Sequence, residues 1–488
     1  MPSWQIALIM MIMYLAIALI VGVMAGRGRD GSSLDEFAVA EGKISLFVMW
    51  FLMGGSVFSA FSFLGAPGWA YSKGAPALYI ITYTAFAILP WYIIGPKIGK
   101  IGKKHRLYTL AGFLKGRFNS PAIAVIVGLI AIFASIQYLA TQMSGMAIIF
   151  NIMTEGRIPF WLGALVSYGI VVIYVATGGL RAAAWSDVFQ GLLMIIVSWV
   201  VGLAIVYQLH GGTTEMFASM ARETPELLQI GKEGSAMGTV AYTTTILVSV
   251  IGFLMWPHLF SKSYASNSRT IKKTVLAYPI FALFLVPLLL VGFAARGVVD
   301  AGDLQSADQV LPYLITTVMN LPGWLYGLVG AGALAAAMST ADAITHSASL
   351  EVTDGVIKQI WKNLSEQKTL LIMRIGVFVI GALAYYITVF GGQGLIALLL
   401  GAYGSIVQFA PGVYSALFWR RATTKGVVSG LVVGTFVNYY FQLVATSTPF
   451  EIHAGILGLI FNIIIMVTVS FMTKPQTEED VKRYVDVA

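Results

Sequence analysis

The chain has no cysteine at any of its 488 positions. Disulfides, thiol catalysis and cysteine-ligated metals are therefore excluded. Charge is scarce as well: only 11% of residues are Asp, Glu, Lys or Arg, against about 25% in a soluble domain. The five histidines, His105, His210, His258, His346 and His453, are scattered and form no catalytic cluster. An enzyme is not expected. No long polar segment leaves room for the soluble output domain of a sensor, and nothing resembles the filter loop or pore-lining charge ring of a channel.

What is abundant is apolar sequence, at 58% of residues. Thirteen apolar stretches run over residues 4–26, 46–72, 77–96, 121–151, 158–178, 184–209, 237–260, 274–295, 322–353, 369–390, 394–418, 426–446 and 453–473. Most reach the roughly 20 residues that a helix needs to cross about 30 Å of hydrocarbon. Between them, alternate gaps and the C-terminal tail hold 24 of the 30 Lys and Arg residues. The other gaps hold Lys73, Arg157, Arg222, Lys232 and Arg296, and Arg374 lies inside a stretch. By the positive-inside rule the N-terminus is expected outside and the C-terminus in the cytoplasm. The net charge of +8 follows from this bias and does not call for nucleic acid. The first stretch has no basic leader, and Arg27 and Arg29 follow it, so it reads as a retained helix and not a signal peptide. Such a chain fits a multi-pass cell-membrane protein whose partners are the bilayer and small molecules, with no obligatory protein partner evident.

Two stretches are interrupted. Gly54 and Gly55 break the 46–72 stretch beside Ser56 and Ser59, and Pro257 follows Trp256 in the 237–260 stretch. Glycine costs about 1 kcal/mol in a helix relative to alanine, and proline about 3. Small residues also serve close helix packing. Polar residues beside the breaks favour irregular backbone lining a cavity. Breaks five stretches apart match an inverted-repeat transporter with its site at the midplane.

Three segments carry a resemblance. They are GGLRAAAWSDVFQG from Gly178 to Gly191, GALAAAMSTADA from Gly332 to Ala343, and GAYGSIVQFAPGVYSALFWRRATTKGVVSG from Gly401 to Gly430. Together they resemble the sodium:solute symporter family, whose members carry sugars, proline, pantothenate, sialic acid and monocarboxylates. The resemblance implies an all-α membrane protein of 13 transmembrane helices with a LeuT-like core. It implies an extra N-terminal helix and first cytoplasmic loop (1–45), a first inverted five-helix repeat (46–209), an extracellular loop (210–236) and a second repeat (237–418). Two peripheral helices (419–473) and a cytoplasmic tail (474–488) complete it.

The resemblance also implies Na⁺ as coupling ion. Its oxygens would come from the carbonyls of Gly55, Phe58 and Ala336 and the hydroxyls of Ser339 and Thr340. Ala336, Ser339 and Thr340 are spaced i, i+3, i+4 and share one helix face. By themselves such hydroxyls point first to bonding back to their own helix, and it is the resemblance that turns the reading to sodium. Asp187 lies along the implied ion release path; the alternative is an interfacial carboxylate paired with Arg181. Asp342 and His346, at i, i+4, are expected to hydrogen-bond structurally, with proton relay the alternative. Arg374 is expected to snorkel to the interface.

For the solute, Ser56, Ser59 and Phe63 beside the first break, Trp256 at the second, and Gln137, Tyr138, Thr141 and Gln142 at membrane depth give aromatic walls with a few polar groups. That is the makeup of a small-solute pocket. The proline-transporting branch of the family has an Asp where Val57 stands here, which argues against proline. A small monocarboxylate or pantothenate-like acid is the leading expectation. An amino acid or sugar, or proton coupling, is the alternative.

Overall fold

In a computed structural model, which describes residues 1–26, 33–231, 235–319, 321–392, 395–445 and 447–487, helix occupies each of the thirteen apolar stretches, and no strand occurs among the described residues. Arg27, Arg29 and Lys232 of the charge pattern lie outside them, as do the side chains of 395–398.

The chain begins with α1 (Ser3–Gly26), a short α2 (Leu34–Val39), α3 (Leu46–Gly55) and α4 (Ala66–Lys73). There follow α5 (Tyr79–Phe86), α6 (Trp91–His105), α7 (Leu110–Phe118), α8 (Pro121–Met153), α9 (Phe160–His210) and α10 (Thr213–Glu223). The next group is α11 (Thr239–Gly252), α12 (Pro257–Phe260), α13 (Ser268–Ala277), α14 (Ile280–Leu283), α15 (Val286–Ala295) and α16 (Val310–Tyr313). Then come α17 (Gly323–Glu351), α18 (Lys358–Ile360), α19 (Glu366–Phe390), α20 (Leu395–Ile406) and α21 (Phe409–Phe418), and last α22 (Thr424–Tyr439), α23 (Ala454–Met472) and α24 (Glu478–Val485).

Among the described residues, eight helical units are long and apolar enough to cross a bilayer, and three bent helix pairs would raise this to eleven, against the thirteen expected. The difference lies in interruptions. α9 is one 51-residue unit broken only at Gly179 (φ 55°, ψ −145°), so it holds both the 158–178 and 184–209 stretches. The 394–418 stretch is split into α20 and α21. Gly179 has to be glycine on two counts: its φ is positive, and a Cβ there would lie 2.4 Å from the Phe37 carbonyl oxygen.

α17 runs through the middle, buried along nearly its whole length, with α1, α8, α9 and α19 packed around it. Small residues let these backbones approach. A Cβ on Gly332 would meet Val197 at 2.8 Å, and one on Gly330 would meet Met11 at 2.9 Å. The helix is polar as well as buried. Ser339, Thr340, Asp342, Thr345, His346 and Glu351 are each no more than 1% exposed.

The segment expected as a simple first loop contains α2, capped by Ser33 accepting from the Glu36 N–H. α2 inserts Phe37 against α17, with its ring 5.4 Å from that of His346. The tail likewise ends in a docked helix. Tyr484 is 1% exposed and packs on Phe113 at 5.0 Å between ring centroids. Lys97 Nζ donates to the carbonyl of Val485 at 2.7 Å. Beneath lies Arg117, buried, its guanidinium pulled down to about 10 by desolvation against the opposing pull of Asp480. Removing a buried aromatic ring costs about 3–5 kcal/mol. Tyr484→Ala is therefore expected to lower the thermal unfolding midpoint of detergent-purified protein by several degrees. An unchanged midpoint would show that the tail adds nothing to stability.

Candidate ion and solute site

α3 stops at Gly55. Gly54 O still accepts from the N–H groups of Val57 (3.0 Å) and Phe58 (2.9 Å), after which the chain leaves helical geometry until Ala60. The restart is capped from outside: Gln142 Oε1 of α8 accepts the Ala60 N–H at 2.9 Å. The break frees the Gly55 carbonyl, and α17 fills the gap with hydroxyls. Ser339 Oγ donates to Gly55 O at 3.0 Å and Thr340 Oγ1 does so at 3.1 Å. Ser339 Oγ also lies 3.1 Å from the Ala336 carbonyl oxygen. Four of the five expected sodium ligands thus converge from two elements nearly 300 positions apart in sequence. A hard cation would fit this set if the hydroxyl hydrogens turned outward and presented lone pairs. Phe58, the fifth, follows in the same turn and is buried, 4% exposed.

Asp187 stands directly beside this set. Its side chain lies 3.2 Å from where a Cβ on Gly55 would be. The carboxylate is fully buried, and neither oxygen has a hydrogen-bond partner among the described residues. The interfacial alternative is overturned: Arg181 pairs with Glu36 of α2 instead, its second contact 3.0 Å long.

The Asp342–His346 hydrogen bond is also not formed. Asp342 accepts from the Tyr174 hydroxyl at 2.9 Å, and His346 Nε2 lies 2.8 Å from the Phe37 carbonyl oxygen. Helical spacing put the pair on one face, but each takes its partner from another element, Asp342 from the first half of α9 and His346 from α2. Arg374 does not simply reach outward; its guanidinium lies 6.0 Å from the centre of the Phe37 ring.

One residue of the site was misplaced by sequence reasoning. Lys262 counted as a loop charge beyond the 237–260 stretch. It is 1% exposed. Its ammonium donates to the Leu52 carbonyl at 2.6 Å and to Ser56 Oγ. No local sequence signal marked it: in the structure, helix resumes after Trp256 and continues past Phe260 to Tyr264, which carries Lys262 back inside.

The second break lies at Trp256, in extended geometry (φ −60°, ψ 127°), with a bend of 52° between the flanking helices. α8 connects the two breaks. Tyr138 packs on Trp256 with ring centroids 4.8 Å apart, one turn before Gln142. Tyr403 closes the other side of Trp256 at 5.3 Å, and Phe63 packs edge-on to Phe58 at 5.7 Å.

The expected solute residues therefore divide. Gln137 Oε1 is a buried polar atom without a hydrogen-bond partner among the described residues, and such a group calls for one; Ser59 Oγ and Trp256 Nε1 make no well-formed hydrogen bond there but face the hydroxyls of Tyr138 and Tyr403. Ser56, Gln142 and Thr141 are already engaged. Ser56 donates to Leu52 O at 2.8 Å while accepting from Lys262, Gln142 caps Ala60, and Thr141 bonds back to Gln137 O at 3.2 Å.

Broken apolar helices, oxygens converging at one break and an aromatic wall at the other define a membrane-transporter fold. Consistent with this, the sodium:solute symporter family profile matches residues 37–434. The chain belongs to that family. It is 30% identical over 484 residues to the uncharacterised symporter YhjB of Bacillus subtilis, covering 96% of this chain and 97% of that one. It is 26% identical to a monocarboxylate transport permease protein of Rhizobium johnstonii, over 95% of this chain and 96% of that one. It is also 26% identical to a sodium/proline symporter of Staphylococcus aureus, over 97% and 93%. A solved Na⁺-coupled sialic acid symporter, in a substrate-bound outward-open state, shares the fold with a TM-score of 0.81 at 18% identity over 97% of this chain and 99% of that one.

Proposed function

We propose that this protein is a sodium-coupled symporter of the cell membrane that imports a small organic solute by alternating access. Its core would be two inverted five-helix repeats, with the lysine-rich face in the cytoplasm. The observation that carries the reading is the Gly55 carbonyl, released by the break after α3 and met by both Ser339 and Thr340. A cation bound there would hold α17 against the first break. The two breaks are tied together by α8, so the same event shapes the pocket around Trp256, Tyr138, Ser59, Phe63 and Gln137. Linkage makes the effect reciprocal: the solute tightens sodium by the factor by which sodium tightens the solute.

For the solute, a small monocarboxylate or pantothenate-like acid is the class we favour. The resemblance to a monocarboxylate permease and the apolar Val57 support it. Ser59, Gln137 and the Trp256 N–H would supply its hydrogen bonds. Uptake of labelled lactate, pyruvate, acetate and pantothenate into proteoliposomes, with an imposed sodium gradient and separately an imposed proton gradient, tests both halves. Uptake is expected to follow sodium. His346→Gln, which keeps a donor for the Phe37 carbonyl, is expected to leave coupling unchanged. Uptake that follows the proton gradient alone and is lost in His346→Gln would overturn the sodium reading.

A further inference from the structure

Lys262, Asp187 and Asp342 form a buried charge cluster that the ligand set just described leaves unexplained. All three are at most 1% exposed, and buried ionisable groups at membrane depth are costly and rarely idle. With all three ionised, two carboxylates against one ammonium leave an excess of one negative charge. The geometry shows where that excess is felt. Asp187 has both oxygens unpartnered and stands against Gly55. Asp342 has Oδ1 unpartnered. Lys262 bonds to neither carboxylate; it is anchored on Leu52 O and Ser56 Oγ, on the turn of chain that ends in the Gly55 carbonyl. Thr340, two residues before Asp342, meets the carbonyl of the same Gly55 that Asp187 stands against, so all three groups gather about the first break. Among the other ionisable groups of the packed elements, His258 of α12 is buried one turn before Lys262, with its Nδ1 unpartnered among the described residues. Glu36 of α2 holds Arg181, His346 of α17 faces the Phe37 carbonyl, and Lys97 of α6 is bonded to the carbonyls of Leu417 and Val485.

We propose that Lys262 is a tethered cation that occupies one of two cation places in the field of Asp187 and Asp342, so that the cluster admits a single sodium ion. The bound ion's own charge belongs in the count: one ammonium and one sodium balance two carboxylates. Neutralising the lysine leaves a deficit that only a second cation fills. The inference builds on the proposed sodium site at Gly55, Ser339 and Thr340, but the lysine's role can be separated from it.

The test is equilibrium binding of radiolabelled sodium to the full-length protein in detergent, with choline holding ionic strength constant. Wild type is expected to bind one sodium per chain, Lys262→Gln two, and Lys262→Arg one. Lys262→Gln with Asp342→Asn restores the wild-type charge count. It serves if the single variant does not fold, and is expected to bind one. The same number of sodium ions in a folded Lys262→Gln as in wild type, or two in wild type or in the charge-balanced double variant, would overturn the proposal. Adding Ser339→Ala and Thr340→Ala to Lys262→Gln should remove one of its two ions and leave the other. Wild type that binds none while Lys262→Gln binds one would uphold the tethered cation and sink the sodium-coupled reading instead.

Discussion

Replacing Ser339 and Thr340 together by alanine is expected to raise the sodium concentration for half-maximal uptake by at least about 10-fold, or roughly 1.4 kcal/mol of binding free energy. Both hydroxyls converge on the Gly55 carbonyl at 3.0 and 3.1 Å. Removing them leaves an ion with backbone carbonyls alone in a site from which water is excluded. The fold should tolerate the change. Both side chains are small, and alanine suits a helix interior better than either. Sodium titration of uptake in proteoliposomes decides it. A folded double variant with unchanged sodium dependence would remove both residues from the site.

Asp187→Asn is expected to slow uptake by at least about 10-fold while changing solute affinity at saturating sodium by less than about 3-fold. The exchange is nearly isosteric, so the packing against Gly55 survives and the lost charge is the main difference. Two unit charges about 5 Å apart interact by roughly 3 kcal/mol at an effective dielectric of 20, enough to govern how an ion enters and leaves. Saturating sodium offsets weaker ion binding by mass action but does not restore the charge along the exit. Solute binding in detergent that falls as far as uptake would place Asp187 among the solute's own contacts.

The membrane class, the helical stretches and both breaks were legible because their causes are local. Hydropathy over some 20 residues, Gly54-Gly55 and Trp256-Pro257 act within a few turns of chain. The shared face of Ala336, Ser339 and Thr340 was legible for the same reason, since helical periodicity alone sets it. Charge partners were not legible. Arg181, the alternative partner for Asp187 six residues away, pairs instead with Glu36, 145 positions distant. His346 turns from Asp342, one helical turn back, to the Phe37 carbonyl, 309 positions away. Lys262 read as a loop charge at the end of an apolar run, yet its ammonium lies on Leu52 and Ser56. In a low-dielectric interior an ionisable group takes whichever partner the packing brings within reach, because leaving it unpaired costs several kcal/mol. Sequence by itself determined that this chain crosses membranes, where the two helices of the candidate site break and which hydroxyls share a face. Only the tertiary structure decided which buried charges meet, because that depends on how α2, α9, α12 and α17 pack, and helical periodicity carries no record of it.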